Sequence, residues 1–176
     1  MKSFLSLKHW HIFIILLIGS GLYNFTIQGN TQLSMCFTIA GSIIYSLWPM
    51  LVGNELNQLL PKRITLNFNF FLINTFIWLV VFIGILVLSN GEGMSFTGLS
   101  TLPMFYVFFA YYYFLAYPAK VLNSIEKGKE ANLGQYIGDF FLILFLPIGI
   151  WFLQPRINRI LENKKLASVE ELSDNM

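Results

Sequence analysis

Four apolar stretches divide this chain, at about residues 11–27, 33–53, 66–88 and 102–118, and positive charge falls only in every second gap between them. Each stretch has roughly the 17 to 25 residues that a helix needs to cross ~30 Å of hydrocarbon. Lys2 and Lys8 precede the first, Lys62 and Arg63 join the second to the third, and Lys120, Lys127 and Lys129 follow the fourth. The gaps at residues 28–32 and 90–101 hold no Lys or Arg. Cytoplasmic loops of membrane proteins carry such an excess of cations. The pattern predicts an all-α, polytopic helical protein of the cell membrane, with four transmembrane helices and a cytoplasmic N-terminus.

Composition agrees with this reading and narrows the partners. Only 11% of the 176 residues are charged and 56% are hydrophobic, against about 25% charged in soluble domains. The formal charge of +2 is accounted for by topology, which leaves no basic patch for nucleic acid. The lipid bilayer is the expected partner. Cys36 is the single cysteine, so an intramolecular disulfide and a multi-cysteine metal site are excluded. No cofactor or metal is expected.

Lys2, Lys8 and the run from Ile12 to Gly21 imitate a secretory signal with a small-residue cleavage site. Cleavage is not expected, because apolar character resumes through Leu22, Tyr23 and Phe25 and completes a span. Removing that span would also invert the match between charge and loop downstream.

A fifth apolar segment, residues 136–153, is ambiguous. Asp139 interrupts its start, and Pro147, Ile148 and Gly149 lie in its middle. The uninterrupted part, 140–153, is fourteen residues long, in the range of re-entrant or interfacial segments. If it crosses, Arg156, Arg159, Lys164 and Lys165 end outside. If it enters and returns, all eleven cations stay on one side. Charge bias favours the returning form over a Pro-kinked fifth span, and a hairpin of that kind must be buried by its neighbours, since lipid cannot satisfy irregular backbone. Beyond it, Ile157, Ile160, Leu161, Leu166, Val169 and Leu172 fall at helical spacing between charges. The expected organisation is one membrane-embedded bundle over 1–155 and an amphipathic cytoplasmic tail over 156–176.

Polar residues inside the spans are the candidates for packing or a polar path. Ser34, Thr38, Ser42 and Ser46 recur every four residues beside Gly41, so they lie in line on a helix and admit a second backbone closely. A hydroxyl ladder facing water is the functional alternative. Ser46, Asn74 and Tyr113 fall at matching depth and could form one polar layer, in which a buried amide or phenol finds a partner. Asp139 precedes the broken segment and is a group on an ion or substrate path, an interfacial cap, or a partner of Lys127, Lys129 or Arg156. His9 and His11 are two apart and cannot chelate one metal from a helix. Gly134 and Gly138 form a GxxxG extended back by Ala131, a signal for close helix contact.

No nucleophile-base pair, metal set or phosphate-binding glycine loop is visible, so an enzyme is not expected. The preferred reading is a non-catalytic accessory or scaffold subunit with a membrane-protein partner. The alternative is a small channel or transporter acting as a homo-oligomer, because four or five helices seldom enclose a pore alone.

Overall fold

The computed structural model describes residues 7–91 and 93–174, with residues 165 and 167–174 described by backbone alone. Lys2 lies outside the described residues, as do the side chains of Lys165, Val169 and Leu172. Among the described residues six α-helices follow in order: α1 His9–Tyr23, α2 Thr31–Asn57, α3 Phe68–Leu88, α4 Thr101–Lys127, α5 Leu133–Leu144 and α6 Leu146–Asp174. A short 3-10 turn, Gly98–Ser100, leads into α4. Among the described residues there is no strand.

Among the described residues, three helical stretches are long and apolar enough to cross a membrane: Thr31–Asn57, Phe68–Leu88 and Gly98–Lys127. Side-chain caps define where two of them begin. Asn30 and Asn67 each accept a hydrogen bond at 3.0 Å from the backbone three residues on, Leu33 and Phe70 respectively, which satisfies one orphan donor at each N-terminus. The third runs past Pro118 to Lys127, nine residues beyond the expected end of that stretch. Pro118 deprives only the Phe114 carbonyl of its donor, while Ala119, Val121 and Leu122 remain buried and hold the helix in place. Gly128, at φ 61°, then ends it in the left-handed conformation that glycine tolerates.

The first stretch differs from expectation. α1 has 15 residues and is therefore about 22 Å long at 1.5 Å per residue, short of the span predicted over 11–27. Asn24 is the cause. Its side-chain amide donates to the Ser20 carbonyl at 2.8 Å, closing the last turn. The chain then runs to α2 without helix, with the Ile27 N–H donating to Ser34 Oγ at 2.8 Å.

Glycines fix how closely neighbours approach. A Cβ on Gly41 would lie 2.3 Å from the Tyr23 nitrogen and 2.5 Å from the Gly19 carbonyl oxygen, so α1 and α2 cross backbone to backbone. On the other side of α2, Gly53 accommodates the ring of Phe71, whose Cζ lies 2.8 Å from where a Cβ would be. Phe71 also stacks on Tyr117, with ring centroids 4.4 Å apart, and so joins α2, α3 and α4.

The ambiguous fifth segment is two helices. α5 ends at Leu144, Phe145 adopts φ −101°, ψ 51°, and α6 starts at Leu146. The chain reverses there. The missing Cβ of Gly149 would lie 1.9 Å from the Leu142 carbonyl oxygen, although residues seven apart in one straight helix would be separated by ~10 Å. Proline acts differently from the expected breaker: Pro147 sits in the first turn of α6, where its missing N–H costs nothing. α6 then continues unbroken through Pro155 and across the boundary expected between bundle and tail. Leu146, Ile150, Leu153 and Ile157, all fully buried, form the stripe that holds it to the core, and Ile160 and Leu161 extend that stripe.

The first half of α6 meets the segment that leads into α1. Gln154 Nε2 and Asn158 Nδ2 donate to the Leu7 carbonyl, each at 3.4 Å, and Lys164 Nζ donates to the Gln58 carbonyl at 3.4 Å. The guanidinium of Arg63 lies beside Gly128. Thus Lys8, Arg63, Arg156 and Lys164 belong to one end of the bundle.

Candidate functional site

Two arrangements of polar groups stand out, one at the charged end and one inside the bundle. The first is centred on Arg156. Its guanidinium donates to Glu126 through Nε at 2.9 Å and Nη2 at 2.6 Å, and to Asp139 Oδ1 through Nη1 at 2.7 Å. Asn123 Nδ2 donates to the other oxygen, Asp139 Oδ2, at 2.6 Å. One cation therefore ties α4, α5 and α6 together. Glu126 first and Asp139 after it hold the guanidinium well above its ordinary pKa, against the opposing effect of burial. Asp139 is buried with both oxygens engaged, and of its expected partners it takes Arg156.

A second strut lies beside it. Trp48 Nε1 donates to Gln154 Oε1 at 3.2 Å, and Gln154 Nε2 donates to Asn158 Oδ1 at 3.0 Å. Both Trp48 and Gln154 are fully buried, so the amide satisfies an indole N–H that would otherwise cost about 1–3 kcal/mol. This contact spans 106 residues of sequence.

The interior arrangement is a partly enclosed cavity of about 290 Å³, near the lower end of the ~300–1,000 Å³ range of small-molecule sites. α1 contributes Ser20 and Tyr23, and α2 contributes Ser42, Tyr45, Ser46 and Pro49. α3 contributes Trp78 and Phe82, α4 contributes Tyr111, Phe114 and Leu115, and the hairpin contributes Pro147. Trp78 lies between Tyr111 and Phe82, with ring centroids at 4.6 and 4.9 Å. The indole N–H of Trp78 is buried and has no hydrogen-bond partner among the described residues.

The hydroxyl stripe divides between roles. Ser34 Oγ accepts from Ile27 N and donates to the Asn30 carbonyl at 3.0 Å, so it holds the α1–α2 connection. Thr38 Oγ1 donates to the Ser34 carbonyl at 3.1 Å and contacts the Tyr23 carbonyl at 3.4 Å. Ser42 donates to the Ile39 carbonyl at 2.8 Å, and Ser42 and Ser46 are buried and line the cavity. The polar layer is not assembled among the described residues. Ser46 lines the cavity, Tyr113 lines a separate groove with Tyr117 and Lys120, and Asn74 donates to the Phe70 carbonyl of its own helix at 2.7 Å. The Asn74 carbonyl oxygen is buried without a partner.

The histidines do not converge: His9 packs on Trp151 and His11 stacks on Trp10, with ring centroids 4.7 and 3.6 Å apart. Gly134 and Gly138 have no atom within 4 Å of where a Cβ would stand. Their ridge therefore faces outward. Sequence reasoning did not single out Trp78, Tyr45 or Gln154. Each is one polar ring or amide on an apolar helix, and only the meeting of helices gives it a partner or a cavity. No protein-family model, curated protein or solved structure matches the chain.

Proposed function

We propose that the chain is a multi-pass protein of the cytoplasmic membrane that serves as a non-catalytic accessory or scaffold subunit of a membrane assembly. Four helices cross in this reading, and the α5–α6 hairpin enters and returns, so that both termini are cytoplasmic. The short α1 reaches the far interface with residues 24–30 as a non-helical extension. Alternating charge supports the orientation. The bundle also turns large apolar side chains outward on α3 and α4, Phe76 at 70% exposure and Phe105 at 66% among them, and lipid covers such a surface without cost.

The accessory role rests on the outward face of α5. Gly134 and Gly138 lie open there beside exposed Leu133, Ile137 and Phe141. Inside the bundle, Gly19, Gly41, Gly53 and Gly149 are each pressed against a neighbour. A small-xxx-small ridge without a partner in its own chain suits a helix of another subunit. Purification in mild detergent tests this. The wild type should bring a membrane-protein partner, and Gly138→Leu should lose it without loss of thermal stability. A lone wild-type monomer, or full retention by Gly138→Leu, contradicts the role.

The interior cavity favours a second reading, a small oligomeric channel or transporter. It predicts a symmetric homo-oligomer and solute flux in liposomes.

A further inference from the structure

The interior cavity combines three properties that together specify a ligand. No Asp, Glu, Lys or Arg lines it, so a charged ligand would lose its hydration with no opposite charge to replace it. Its walls are largely aromatic, and Trp78, Tyr111 and Phe82 lie in ring-to-ring contact. Its buried Trp78 N–H, which can only donate, has no acceptor among the described residues. Such an N–H asks for a carbonyl.

We propose that this cavity binds an uncharged, lipid-soluble ring carbonyl compound of the quinone class, with the Trp78 indole donating to a carbonyl oxygen. The ring lies against the aromatic wall, where faces attract in offset or tilted contact. Ser46 lines the same cavity from α2 and makes no hydrogen bond of its own among the described residues, so it is free to donate to a second carbonyl. The cavity admits a substituted ring and excludes a whole phospholipid. Pro147, at the tip of the hairpin, closes one side, and the occupied state therefore steadies the α5–α6 turn. This site stands apart from the outward face of α5, and it holds under either reading of function.

Duroquinone and durene separate the chemistry from shape, because both carry four methyl groups on a six-membered ring and only the quinone has carbonyls. Binding is measured by titration calorimetry on the full chain in nanodiscs, with empty nanodiscs as the blank. The expected result is saturable duroquinone binding at least tenfold tighter than durene binding. Trp78→Phe should weaken duroquinone about tenfold, the effect of one hydrogen bond, and leave durene unchanged. Ser46→Leu should fill the cavity and abolish both, while Ser46→Ala, which keeps the volume, retains durene. Equal affinity for the two compounds, or quinone binding insensitive to Trp78→Phe, overturns the assignment. Absence of saturable binding to a wild-type protein that melts cooperatively overturns it as well, and leaves the cavity as one that holds only water.

Discussion

Arg156 reaches back across the turn at Phe145 to bond Asp139 at 2.7 Å, so the chain entering on α5 and the chain leaving on α6 are held at one level. The same guanidinium takes both oxygens of Glu126. In this account the pair is a strut that fixes a returning hairpin. Arg156→Ala would strand Asp139 in a buried site and should cost about 2–4 kcal/mol of stability. Asp139→Asn keeps an acceptor for Asn123 and should cost about half as much. A double-mutant cycle on the two, read by thermal or denaturant unfolding in detergent, should give a coupling of ~1–3 kcal/mol. A coupling near zero would mean that the ion pair does not hold the hairpin.

The glycines sort into two classes with opposite responses to alanine. Gly41→Ala places a methyl 2.3 Å from the Tyr23 backbone nitrogen, and neither backbone can yield cheaply. The expected loss is roughly 1–3 kcal/mol. Gly134→Ala meets nothing and relieves the entropic cost of glycine within a helix, an expected gain of roughly 0.5–1 kcal/mol. Melting curves of the two variants check the contrast. Similar values for both would show that α1 and α2 do not cross at the observed distance.

Gln154 sits between Trp48 and Asn158. Gln154→Leu preserves much of the volume but leaves the Trp48 N–H buried and unsatisfied, with an expected loss of about 1–3 kcal/mol. Gln154→Glu keeps an acceptor but adds a buried charge, and it should be worse. Thermal unfolding in detergent checks the order, with Gln154→Glu melting below Gln154→Leu and both below the wild type; equal melting of all three would contradict it.

The helices were legible because long apolar runs and alternating charges leave few other solutions. The α6 stripe was legible in part, since Ile157, Ile160 and Leu161 carry the helical period. The turn itself was not. It falls at Phe145, an ordinary helix residue, while the obvious breaker, Pro147, belongs to the first turn of α6. For Asp139 the sequence offered three cations, Lys127, Lys129 and Arg156, and the reversal selects the one 17 positions further on. Of the cavity, Ser42 and Ser46 stood out as half of a stripe, but Trp78 and Tyr111 come from other helices and join them only in the fold.

Reporter fusions test the orientation of the long helices. A fusion after Ile27 or near Gly93 should read external, and one near Lys62 or Lys127 cytoplasmic. A reversed signal at either outer loop would remove the charge-based topology.

The central claim is that the α5–α6 hairpin enters the membrane and returns. Arg159→Cys in a Cys36→Ser background places one thiol on the exposed side of α6, beyond Arg156. Labelling with a membrane-impermeant maleimide in intact cells and in inverted vesicles then reads its side. The account predicts modification only from the cytoplasmic face; modification from outside would require a fifth crossing and contradict it.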